Sequence, residues 1–200
     1  MLLLYQIYKR KSADGISLKT QIMYLIVFLT RYLDLFWNHA YLYNTIFKIL
    51  YIATTMITVY LIAIKFKKTY RKELDRFPFQ YLLLGAFILC FIFNSNHKKW
   101  FEYVYAFSLY VESVSIIPQL VLLVEQSEVS NLTSYYILFL GAYRGLYILN
   151  WIVRIITERH YKAWISWVCG IIQTVLYADF FYEFFKAKKM GKKMELPIPE

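Results

Sequence analysis

The feature that most constrains this chain is the length of its apolar runs. Blocks of roughly 17–24 mostly apolar residues alternate with short charged stretches, and about 20 residues rising 1.5 Å each cross a hydrocarbon core of about 30 Å. Six full spans follow: Ile22–Asn38, Thr45–Ile64, Phe79–Phe93, Phe101–Val124, Tyr135–Val153 and Trp164–Phe185. Met1–Tyr8 is apolar too, but covers only about 12 Å, so it reads as the last turns of a seventh span that begins upstream. It lacks the basic leader and small-residue cleavage site of a signal peptide. The expected fold class is therefore an all-α membrane protein, a bundle of seven transmembrane helices with the first truncated. Residues 1–200 form a single integral membrane domain, ending in a tail over 186–200.

Composition excludes the main alternatives. Apolar residues make up 60% of the chain and aromatic residues 20%, whereas a soluble domain has about 45–50% apolar residues. The net charge of +10 sits in the gaps between apolar blocks and not along one helical face, which argues for a membrane surface and against nucleic acid. Cys90 and Cys169 both lie in apolar blocks, and no CxxC or Cys/His cluster is present. Neither a metal site, a cofactor nor a disulfide framework is expected. No paired His or nucleophile elbow suggests an enzyme, so no catalytic residue is assigned.

Orientation follows from lysine and arginine. One side collects Lys9, Arg10, Lys11 and Lys19, then Lys65, Lys67, Lys68, Arg71, Lys72 and Arg76, then Lys186, Lys188, Lys189, Lys192 and Lys193. The other collects Lys98, Lys99, Arg154, Arg159 and Lys162. Fifteen against five places the C-terminal tail in the cytosol. The sequon Asn131-Leu132-Thr133 then faces the cytosol and stays unglycosylated. A weak internal echo is also present: Ser17 and Gln21 share a Ser-x3-Gln pattern with Ser115 and Gln119. Such echoes occur in bundles of two three-helix repeats with a ligand site between them.

Ionisable residues within spans cost about 2.5–3.5 kcal/mol each to insert, so they mark candidate sites. Here they are Arg31, Asp34, Lys48, Glu112, Arg144 and Asp179. On a continuous helix Arg31 and Asp34, at i and i+3, share a face. Tyr147 and Trp151 stand at i+3 and i+7 from Arg144, forming a polar, aromatic stripe with Asn150 nearby. Two readings stay open. The charges form structural ion pairs that fix helix packing, or the arginines meet a carboxylate ligand in a lumen-facing cavity, where a planar guanidinium grips both oxygens. Lys48, one turn inside its span, snorkels to an interface.

These residues carry a resemblance. Thr30-Arg31-Tyr32-Leu33-Asp34-Leu35-Phe36, Tyr110-Val111-Glu112-Ser113-Val114, Ile117-Pro118-Gln119-Leu120, Tyr143-Arg144-Gly145-Leu146-Tyr147, Asn150-Trp151-Ile152 and Asp179-Phe180-Phe181-Tyr182 resemble the ER lumen protein-retaining receptors, or KDEL receptors. The likeness runs from Gly15 to Lys193. It implies a seven-helix bundle of two three-helix repeats, similar in fold to SWEET and PQ-loop transporters, that cycles between ER and Golgi membranes. It implies pH-dependent binding of the C-terminal Lys/His-Asp-Glu-Leu signal of escaped ER proteins, an address read by a receptor. By the same resemblance Arg31 and Arg144 hold a carboxylate, Glu112 meets the signal's basic first position, and Asp34, Tyr147, Asn150 and Trp151 complete the binding site. Asp179 serves retrograde traffic, and Lys188, Lys189, Lys192 and Lys193 recruit the cytosolic Golgi-to-ER coat complex. The family's first helix carries a further arginine and a pH-sensing histidine upstream of this chain's start, a position that His39, His97 and His160 do not match. Lys162 stands in a lumenal loop where relatives can carry an acid. A small-molecule transporter of the same fold is the rival reading.

Overall fold

The computed structural model describes residues 2–36, 42–94, 99–126, 131–158 and 164–189. Along them run eight α-helices: α1 (Leu2–Arg10), α2 (Leu18–Arg31), α3 (Leu42–Tyr60), α4 (Phe79–Ile92), α5 (Trp100–Val114), α6 (Ile117–Gln126), α7 (Asn131–Thr157) and α8 (Trp164–Lys189). Among the described residues, four stretches are long and apolar enough to cross a membrane: Leu42–Lys65, Trp100–Gln126, Thr133–Thr157 and Trp164–Lys186, with mean hydropathy between 1.3 and 1.9. Phe79–Ile92 is apolar but shorter. The expected all-α membrane bundle is the fold observed.

Two of the expected spans are interrupted. The span read as Phe101–Val124 breaks at Ser115–Ile116 into α5 and α6. Pro118 has no N–H to return to Val114, and its ring crowds that carbonyl. The Ser115 hydroxyl caps the break by donating to Val111 O at 2.7 Å. The span read as Ile22–Asn38 leaves the α-helix at Tyr32 (φ −102°, ψ 26°) and continues as a tight turn over Leu33–Phe36. Arg31 is therefore the last residue of α2, where its charge complements the carbonyl end of the helix dipole. The premise that Arg31 and Asp34 share a face of one helix does not hold, because the helix ends between them.

α5 lies at the centre, packed on α2, α4 and α8, while α2 also contacts α3 and α6. α7 runs against α8, and α1 against α3 and α7. Lipid tails are as apolar as leucine, so helices associate in a membrane through close backbone approach at small residues. Gly141 and Gly170 do this between α7 and α8: a Cβ on Gly170 would stand 2.5 Å from the Trp151 ring, and one on Gly141 would strike Phe181 and Tyr177. Gly170→Ala should therefore cost about 1–3 kcal/mol through overpacking, seen as a lower melting temperature in detergent with altered tryptophan fluorescence. Gly85→Ala, whose Cβ meets nothing within 4 Å, is the control that should melt like the parent.

The Ser-x3-Gln echo has a structural use. Ser17 caps α2 by accepting from Thr20 N–H at 3.1 Å. The Gln119 side chain accepts from Ser17 N–H at 2.8 Å and donates to Gly15 O at 3.0 Å, so the second copy clamps the backbone of the first. Gly15 is the residue that permits this bend, at φ 75°. Asp75, buried in the α3–α4 connection, accepts from the Ser17 hydroxyl, Lys19 N–H and Tyr70 Oη at 2.6 to 3.3 Å. Burial and that bond hold the Tyr70 hydroxyl above the usual tyrosine range. Arg71 grips Asp14 beside it through two bonds of 2.6 and 2.7 Å, which raises the Arg71 pKa further. The sequon's Thr133 is buried and accepts from Gln6 Nε2 at 2.9 Å.

Candidate ligand site

Three helices converge on one acid. Glu112, near the end of α5, is buried, and its carboxylate joins both arginines: Oε2 pairs with Arg31 Nη1 from α2, and Oε1 with Arg144 Nη2 from α7. Tyr143 Oη donates to the same Oε1 at 2.9 Å. Arg31 is held again through Nε, which donates to Ser108 Oγ at 3.2 Å. The Arg144 guanidinium lies 4.9 Å from the Tyr143 ring centroid and 5.9 Å from that of Tyr147, where the ring faces attract the cation.

Among the described residues charge does not balance here. Two guanidiniums share one carboxylate, leaving one positive charge over. Donors do not balance either: Arg31 Nη2 and Arg144 Nε are buried without a hydrogen-bond partner among the described residues. A buried donor left unmade costs about 1–3 kcal/mol, more when charged. Both arginines border a cavity of about 970 Å³, at the upper end of the range for ligand pockets. Glu112, Tyr147, Asn150 and Trp151 line it as well. Trp151 is fixed by tilted contact with Trp167 and Tyr147, centroids 5.7 and 6.1 Å away. The arrangement can accept an anion with two hydrogen-bonding oxygens, set against aromatic walls.

The sequence resembles known proteins over nearly its whole length. The family model for the ER lumen protein retaining receptor matches residues 12–154. The chain is 49% identical over 199 residues to ER lumen protein-retaining receptor A of Arabidopsis thaliana, covering 98% of this chain and 92% of that one. It is 46% identical to the Entamoeba histolytica receptor, over 98% of this chain and 91% of that one. It is 44% identical to receptor 3 of Mus musculus, over 100% and 92%. The chain belongs to the ER lumen protein-retaining receptor family. It is a receptor-family membrane protein of the secretory pathway.

Within this retaining receptor, the two open readings of the buried charges prove not to be exclusive. The arginines do form ion pairs inside the protein, and they also border a cavity. Glu112 is paired with both guanidiniums and Tyr143 while it lines the cavity, and its Oε2 makes no hydrogen bond among the described residues. Lys48 lies with its ammonium 5.8 Å from the Tyr32 ring centroid. The side chains of Asp34, Asp179 and Lys188 lie outside the described residues, as do His39, His97, His160, Lys162, Lys192 and Lys193. Lys189 is exposed at the end of α8. Sequence reasoning missed Arg154 and Glu102, which line the same cavity. Arg154 stands ten residues from Arg144, continuing the stripe through Tyr147 and Trp151. That spacing was the available signal.

Proposed function

We propose that this receptor binds the C-terminal Lys/His-Asp-Glu-Leu signal of escaped ER-resident proteins in the Golgi and returns them to the ER. Arg31 and Arg144 take the signal's terminal carboxylate, Glu112 meets its basic first position, and Tyr147, Asn150 and Trp151 form the wall beside it, with Asp34 in the turn that follows α2. The reading rests on one observation above the others: among the described residues two guanidiniums that line the cavity share a single acid, and each keeps a buried donor without a partner. A peptide ending in a free carboxylate supplies the missing negative partner, and burial of both sides strengthens the pairing. Binding favours the acidic Golgi over the neutral ER through proton uptake, and one linked proton changes affinity at most about tenfold per pH unit. That proton needs a carrier, and histidine suits the task.

The test of function is equilibrium binding of a Lys-Asp-Glu-Leu peptide to the purified protein at pH 5.5, with weaker binding expected at pH 7.4. Sugar or amino-acid flux in proteoliposomes, with no peptide binding, would favour the transporter instead. No observation on the site favours that alternative. The tail over 186–200 lies in the cytosol on this reading, near anionic lipid headgroups, where Lys188, Lys189, Lys192 and Lys193 recruit the Golgi-to-ER coat complex and Asp179 supports retrograde traffic. Replacing those four lysines by alanine should leave peptide affinity within about twofold while holding the protein in the Golgi, as fluorescence microscopy of the tagged protein would reveal. Normal ER return of the variant refutes the tail's role.

A further inference from the structure

We propose that Ser108 is a positioning residue: it keeps one donor of Arg31 from being taken up by the protein's own acid, and thereby sets how strongly the site prefers a ligand with a free carboxylate. The inference rests on the ligand reading above. Ser108 is wholly buried on α5 and does not border the cavity, so it acts only through Arg31. It stands four residues before Glu112, which puts both on the face of α5 turned toward Arg31.

The hydroxyl has one proton, and that proton is donated to Tyr105 O at 2.7 Å. Only lone pairs remain for Arg31 Nε at 3.2 Å, so Ser108 is a fixed acceptor at this place. A guanidinium is planar, with its N–H groups in a rigid fork. With Nε on Ser108 and Nη1 on Glu112, two separated acceptors set both the position and the plane of the group. Nη2, buried and without a hydrogen-bond partner among the described residues, is then the donor that Arg31 keeps in reserve.

Removal of the hydroxyl leaves Nε without a partner. Glu112 is the nearest compensation, because the Nε and Nη2 edge of a guanidinium matches a carboxylate with two parallel bonds. Arg31 then swings into bidentate contact with Glu112, and Nη2 is taken up by the protein. The ion pair survives this change, while the open donor is lost.

The experiment compares two peptides, Lys-Asp-Glu-Leu with a free C-terminus and the same peptide amidated, binding at pH 5.5 to the full chain and to S108A, S108C and S108T. The preference for the free acid should fall about tenfold in S108A, the scale of one hydrogen bond to a charged group, and S108T, which keeps the hydroxyl, should restore it. S108C keeps the volume without a strong acceptor and serves if S108A fails to fold. An unchanged preference overturns the proposal, as does an equal loss for both peptides. Nitrogen-15 NMR of the Arg31 Nε–H, assigned by its absence in R31K, gives a readout without ligand: the signal should move in S108A and stay in S108T. Should the parent bind neither peptide, the receptor reading fails, and an Arg31 signal unmoved by S108A separately overturns the role of Ser108.

Discussion

Glu112→Gln should be the most destabilising single substitution in the site, costing about 3–5 kcal/mol, as breaking a buried ion pair from one side does. The reason is the sharing of one acid by two cations. Glutamine keeps the volume and leaves an amide oxygen, but Arg31 and Arg144 would then repel one another in a medium that screens poorly. Arg31→Met and Arg144→Met each leave Glu112 with one guanidinium, a balanced pair, and should melt several degrees closer to the parent. The double variant Glu112→Gln with Arg144→Met removes the excess charge and should recover at least half of the loss. Thermal unfolding in detergent, followed by tryptophan fluorescence, measures all four. A Glu112→Gln protein as stable as the parent would show that the acid is not the counterion of both arginines.

Ligand binding should order substitutions at these residues differently. Arg31→Ala and Arg144→Ala should each weaken binding of a free-acid peptide by about a hundredfold or more, since charged hydrogen bonds contribute about 1.5–3 kcal/mol apiece and each guanidinium offers a buried donor. The fold should survive, because Glu112 keeps a partner in either case. The two properties therefore separate by residue: the acid governs whether the protein folds, and the bases govern whether it binds. Arg31→Lys retains the charge but loses the fork, and should bind between the parent and the alanine variant.

Much of the fold was legible because the bilayer sets a length. Each described helix beyond α1 overlaps one of the expected apolar spans, as that constraint requires. The break before α6 was not legible, although Pro118 was in plain view. A proline within a membrane helix often keeps the span continuous, with neighbours satisfying the freed carbonyl, so residue type alone did not decide it. The end of α2 at Arg31 was hidden for a similar reason, since Leu33, Leu35 and Phe36 continue the apolar run without continuing the α-helix.

The buried arginines were visible in the sequence because charge within a span is costly. Their shared counterion was not. Glu112 lies 81 residues from Arg31 and 32 from Arg144, and no local pattern states which helices face each other. The Ser-x3-Gln echo was seen as repetition, yet its use, Gln119 clamping the backbone at Ser17, is a contact across 102 residues. Arg154 and Glu102 sit near helix ends, where charges are ordinary, and only the lining of the cavity sets them apart.

The central claim is that the open guanidinium donors exist for a peptide's terminal carboxylate. It is tested most directly by titrating the parent protein at pH 5.5 with two tetrapeptides that differ only at the C-terminus, one a free acid and the other an amide. The expected result is a preference for the acid of about a hundredfold, lost in Arg31→Ala and in Arg144→Ala. Equal affinity for acid and amide in the parent would contradict it.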